Sequence, residues 1–173
     1  MGMSTASTGS PRHDFTSSTR RVQDEMTPLV ARLGSSSARS QELAAIELYD
    51  LVGESNGADS RAAIVRAGAI EPLVALVRRG GERAQRAAAG ALSYLATDHQ
   101  AAIAQAGAIE PLVALVRDGS AEAQGAAAAA LANLAGDNAD NRVAIARAGA
   151  IAPLVALVGI NAHFLFSPTY YRV

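Results

Sequence analysis

The side chains best suited to acid–base or metal chemistry in this sequence are three histidines, and their placement supports neither. His13, His99 and His163 stand far apart, and no His-Glu-x-x-His run sets two imidazoles on one helix face around zinc. There is no Gly-x-Ser-x-Gly elbow to raise a nucleophilic serine, and no phosphate-binding loop. Asp137, Asp140 and Asn141 crowd one short stretch. A calcium loop spaces its ligands at alternating positions and closes on a distal glutamate, and neither feature is present. These residues read instead as a polar connecting loop. The chain has no cysteine, which removes disulfides and thiolate metal sites. The expectation is a protein without metal, cofactor or enzymatic activity.

What remains is a surface for binding, and the elements that would build it are repeated. Residues 66–77 read Arg-Ala-Gly-Ala-Ile-Glu-Pro-Leu-Val-Ala-Leu-Val, and nearly the same phrase returns at 105–116 and 147–158. The prolines Pro72, Pro111 and Pro153 are 39 and 42 residues apart, and a weaker copy, Thr27 to Leu33, sits 44 residues before Pro72 by its own Pro28. A period near 40 residues indicates stacked supersecondary units. Within residues 60–98 the pattern predicts a short helix over 61–67, a break at Gly68, and a second helix from about Ile70. Pro72 falls in the first turn of that helix, where its missing N–H costs nothing. Ile70, Leu73, Val74 and Val77 are spaced to share one face, as are Ile109, Leu112, Val113, Val116 and Ile151, Leu154, Val155, Val158. Arg79-Gly80-Gly81 and Asp118-Gly119-Ser120 end the second helices, and longer third helices follow at about 83–97 and 121–135.

A short helix, a glycine turn and two longer helices resemble the armadillo repeat over roughly residues 24–158. The phrase Gly-Ala-Ile-x-Pro-Leu-Val, followed by Ala-Leu-x-Asn-Leu-Ala at 130–135, carries the resemblance. It implies an all-α, right-handed superhelical solenoid of about three and a half repeats: 27–59, 60–98, 99–140 and an incomplete 141–158. It further implies a non-catalytic scaffold that binds a peptide or helix along the groove lined by the third helices. In the family an asparagine of that groove grips the bound backbone, and its position here, 22 residues after each proline, is held by Asp50, Tyr94 and Asn133. Only Asn133 keeps the family residue, whose amide both donates and accepts. Importin-alpha-like members place a tryptophan four residues earlier, where this chain has Ile46, Gly90 and Ala129. Without those indoles, pockets for lysine stems are missing. The small Gly90 and Ala129 then suggest a shallow, open groove, with Gln85 and Gln124 at its edge. The resemblance also admits two other roles: a substrate adaptor of a ubiquitin ligase, or a membrane-associated armadillo adaptor.

Composition is consistent with this picture. Half of the residues are apolar but only 4% are aromatic, so alanine and medium aliphatic side chains must fill the core. The formal net charge of −1 lacks the basic excess of a general nucleic-acid binder. No long unbroken apolar run predicts a spanning helix. Absent cysteine fits a reducing compartment, the cytoplasm with the nucleus as alternative. Residues 1–26, rich in Ser, Thr and Arg, read as a disordered tail. Residues 159–173 break the pattern, with Phe164, Phe166, Tyr170 and Tyr171 gathered where a third helix is due. That segment reads as a cap or as the end of a truncated array. A bare last unit would leave Leu154 and Val158 open to head-to-tail self-association.

Overall fold

The computed structural model describes residues 26–54 and 58–165, which hold helices and turns and no strand. Helix α1 covers 26–33. Then come α2 (Ala38–Glu54), α3 (Ala58–Arg66), α4 (Ile70–Arg79), α5 (Glu82–Leu95), α6 (Gln100–Gln105), α7 (Ile109–Asp118), α8 (Ala121–Ala135), α9 (Ala139–Arg147) and α10 (Ile151–Leu165). They form repeating units of a short first helix, a second helix and a long third helix. The third helices α2, α5 and α8 lie side by side, and the second helices α4, α7 and α10 do the same behind them.

Local chemistry sets both turns of each unit. Gly68, Gly107 and Gly149 have φ of +84°, +74° and +79°, a region where a side chain is strained. The turn closes as the Ala108 N–H reaches the Ile103 carbonyl at 3.3 Å and the Gly107 N–H reaches Ala104 at 2.9 Å, satisfying the end of the first helix. Gly80 and Gly119 are extended, so conformational freedom is not their reason. A Cβ there would lie 2.5 Å from the carbonyl oxygen of Leu76 or Leu115. Ser120 caps α8 by accepting from the Ala123 N–H.

The core runs between the two helix layers. Leu73, Leu92, Leu95, Ile103, Leu112, Leu131 and Leu134 are all essentially inaccessible. Ala87, Ala88, Ala89 and Ala91 of α5 are also buried, and their short side chains let α5 sit close to α2 on one side and α8 on the other. The faces expected for α4 and α7 are buried throughout. The same face of α10 is not: Ile151, Val155 and Val158 are 63%, 66% and 69% exposed.

Two expectations about the ends change. Met26 already lies in α1 and is buried, so the N-terminal tail stops short of it; residues 1–25 lie outside the described residues. The change of pattern expected at Gly159 does not end the helix, since α10 continues to Leu165. Gly80 and Gly119 stand eight residues after their prolines, whereas Gly159 stands six after Pro153. A Cβ at Gly159 would meet nothing, so no carbonyl contact forces a stop there. Phe166, Tyr170 and Tyr171 lie outside the described residues.

An ion pair ties the start of the second unit to its end. The Arg61 guanidinium on α3 donates to the Asp98 carboxylate just past α5, and Thr97 Oγ1 donates to the same oxygen. The Arg61 hydrogen bond, the largest cause, holds the Asp98 carboxyl below its ordinary range, while burial pushes the other way. A carboxylate depressed on folding adds stability above its unfolded pKa, and that stability is lost as pH falls through its folded value. Asp98 is 37% exposed, so solvent screens the pair and its worth is about 0.5 kcal/mol. Asp98→Asn should melt slightly below the wild type at neutral pH. The two melting curves should converge below about pH 4. A gap that persists unchanged in acid would mean that the side chain acts by shape rather than charge.

Candidate functional site

Each third helix repeats one register, so residues 22 positions after the prolines face the same way. On this face Asp50 is exposed and is in no ion pair among the described residues, and Tyr94 is 41% exposed. Asn133 is half-buried and already engaged. Its Nδ2 donates to the Ser93 carbonyl at 2.9 Å and to Ser93 Oγ at 3.1 Å, so it fastens α8 to α5. Its backbone carbonyl accepts from Gln100 Nε2 at 2.7 Å. The Oδ1 acceptor is left without a partner among the described residues.

Between α2 and α5 two tyrosines interlock. The rings of Tyr49 and Tyr94 lie 5.8 Å apart, centroid to centroid, tilted by 40°. Tyr49 lies across Gly90 of α5, and Tyr94 lies across Gly53 of α2. Each ring thus fills the gap left by a glycine on the opposite helix. Burial, then the adjacent Tyr94, raises the Tyr49 phenol above its ordinary range. Arg86 and Asp50 act on it in opposite directions. Beside this pair, Glu42 binds Arg39 of its own helix at 3.0 Å and Arg83 of α5 at 3.4 Å. On α8 the face is bare, with Gly125, Ala129 and Ala132 all exposed.

Three expected groove residues move. Gly90 is buried beneath Tyr49 and offers no open space to a partner. Gln85 and Gln124 lie nine residues before Tyr94 and Asn133, two and a half helical turns, which puts them on the opposite side of their helices. Gln85 Nε2 donates to the Val77 carbonyl at 3.2 Å, closing the end of α4. It lines a crevice between second helices with Arg78, Glu110 and Pro111. Gln124 holds the matching position on α8, half-buried. Ala129 stays on the exposed groove face.

Tyr49, Gly53 and Ser93 are the residues that sequence reasoning passed over. Gly90 carried the signal for the first two, because a glycine in mid-helix usually marks a packing demand. Asn141 lies not in a connecting loop but in the first turn of α9, buried at 5%, where its Nδ2 donates to the Leu134 carbonyl at 3.0 Å and caps α8. Among the described residues no group of three or more His, Asp or Glu could hold a metal ion, and no single helix is long and apolar enough to cross a membrane.

The model of the armadillo/beta-catenin-like repeat matches residues 57–97 and 97–136. No curated protein matches the chain. Among solved structures, a crystal structure of an engineered protein is similar at 33% identity and a TM-score of 0.71, over 77% of this chain and 55% of that one. The chain thus spans about half the length of that relative. A designed armadillo repeat protein in complex with the peptide (KR)4 is similar at 26% identity and a TM-score of 0.71, over 87% of this chain and 71% of that one. Computationally designed armadillo repeat proteins for modular peptide recognition are similar at 26% identity and 0.71, over 85% and 69%. Residues 57–136 thus match two armadillo/beta-catenin-like repeats, and the described helices form an armadillo solenoid.

Proposed function

We propose that this protein is a non-catalytic scaffold that docks an extended peptide or a helix along the face formed by α2, α5 and α8. The observation that carries this reading is the likeness to designed armadillo repeat proteins made for peptide recognition, over most of this chain. Polar groups on that face supply suitable chemistry. Tyr94 offers an aromatic surface and a hydroxyl, Asp50 an unpaired carboxylate, and Asn133 an acceptor for a backbone N–H. The bare surface around Ala129 lets a partner backbone approach α8 closely. Side-chain contact at Tyr94 and Asp50 gives selectivity, and backbone pairing gives direction.

The test is selection of a displayed peptide library on the full chain, followed by affinity measurement on variants. Tyr94→Ala should weaken the best binder about tenfold or more, as loss of one aromatic anchor costs more than about 1.4 kcal/mol. Asp50→Ala should weaken it less. Asn133→Ala is a poor probe because it also frees α8 from Ser93. Binders that ignore both Tyr94→Ala and Asp50→Ala, yet are lost on Glu110→Ala at the second-helix surface, would overturn the assignment.

A further inference from the structure

Asn133 shows the groove only half of what an asparagine can offer. Its amide nitrogen carries two N–H bonds and has two acceptors in reach, the Ser93 carbonyl at 2.9 Å and Ser93 Oγ at 3.1 Å. A flipped amide would set Oδ1 against the Ser93 carbonyl, two acceptors face to face, so hydrogen bonding fixes the orientation. The backbone is held as well, since the Asn133 carbonyl accepts from Gln100 Nε2 at 2.7 Å. What is left is Oδ1, unbonded among the described residues and not buried.

The same register on the other third helices is one-sided too. Tyr94 stands on α5, which has α2 on one side and α8 on the other, and it is still 41% exposed. This register therefore faces the groove and not a neighbouring unit. Asp50 on α2 is exposed, and an ionised carboxylate only accepts. Acceptors thus stand at both ends of the row, and of the three side chains only the Tyr94 hydroxyl can donate. An asparagine with a free amide pairs with both the N–H and the C=O of a bound peptide residue. Asn133 can pair only with the N–H.

We infer that this face reads its partner by hydrogen-bond donors: an extended segment sets one backbone N–H on Asn133 Oδ1 and a basic side chain on Asp50. This deepens the scaffold reading above and rests on it. A charged donor suits Asp50 because its carboxylate is in no ion pair among the described residues. Proline has no N–H, so it is rejected opposite α8. A helix gains nothing from Asn133, since its own backbone N–H groups are already bonded within it, and the extended form is selected. The spacing follows from the packing. Neighbouring helices lie about 8–10 Å apart, so Asp50 and Asn133, two helices apart, are separated by about 16–20 Å. An extended chain covers that distance in about five or six residues, and Tyr94 meets the side chain about midway. Ser93 is the positioning residue, because its carbonyl and hydroxyl turn the Asn133 oxygen outward.

The segment selected from the peptide library on the full chain provides the test. It is remade with one backbone N–H at a time replaced by an ester oxygen, and each form is titrated. One ester should weaken binding about tenfold, and the others less than about threefold. In Asn133→Ala the amide-to-ester ratio at the sensitive residue should fall to about one. That ratio is taken within one protein, so loss of the Ser93 contact acts on both peptides alike. Asp50→Asn should weaken a segment with a basic residue five or six positions away by about threefold, and less in high salt. A flat ester scan on a segment that still needs Tyr94 would overturn this inference and leave the scaffold reading standing. So would proline at the sensitive residue, an unchanged ratio in Asn133→Ala, or a segment that binds as a helix. Segments indifferent to Tyr94→Ala and Asp50→Ala would overturn both readings.

Discussion

Gly90→Ala should destabilise this protein by about 1–2 kcal/mol, although alanine is the better helix former by about 1 kcal/mol. The obstacle is Tyr49. A Cβ on Gly90 would lie 2.4 Å from one ring carbon of Tyr49 and 2.6 Å from another, far inside contact distance. The ring must swing out, and it then gives up its place over α5 and its contact with Tyr94. In a Tyr49→Ala background the obstacle is gone, and the same substitution should stabilise by about 0.5–1 kcal/mol through helix propensity alone. The sign reversal is the measurement, read from urea unfolding of the four chains of a double-mutant cycle. Equal destabilisation in both backgrounds would show that the ring is not what position 90 accommodates. Because Tyr94 is the proposed anchor of the groove, Gly90→Ala should also weaken peptide binding, and Tyr49→Ala should do so without any clash.

The second large effect compares one residue type at one repeat position. Ile109 and Ile151 both open the phrase Ile-x-Pro-Leu-Val-Ala-Leu-Val, and they are 8% and 63% exposed. Ile109→Ala should cost about 2–4 kcal/mol, the loss expected for deleting a packed aliphatic chain. Ile151→Ala, measured at low protein concentration, should stay within about 0.5 kcal/mol, as for an exposed site. Val116 and Val158, at 3% and 69%, should follow the same rule with smaller numbers. Similar losses at both isoleucines in dilute solution would mean that α10 is covered within a single chain.

These comparisons mark where the sequence is informative by itself. The three copies of the phrase, the glycines between them and the 3.6-residue spacing of Ile70, Leu73, Val74 and Val77 determine the helices, the turns and which residues share the apolar face of each second helix. Those features depend on bonds within a few residues: a positive φ at Gly68, Gly107 and Gly149, a carbonyl behind Gly80 and Gly119, and one turn of hydrogen bonds. The helical period also determines that Gln85 and Tyr94 face opposite ways, and the repeat register alone should have excluded both glutamines from the groove.

Tertiary structure decided the rest, because it depends on residues some 40 positions apart. Gly90 signals that something packs close, but only the fold supplies Tyr49. Asn133 has a family-like position, but its amide is fastened to Ser93 of the neighbouring repeat. Most plainly, Ile109-x-Pro111-Leu112-Val113 and Ile151-x-Pro153-Leu154-Val155 share their apolar residues, and one is core while the other is surface. Burial is a property of what lies alongside a helix: among the described residues α7 packs between α4 and α10 and against α8, whereas the main partner of α10 is α7.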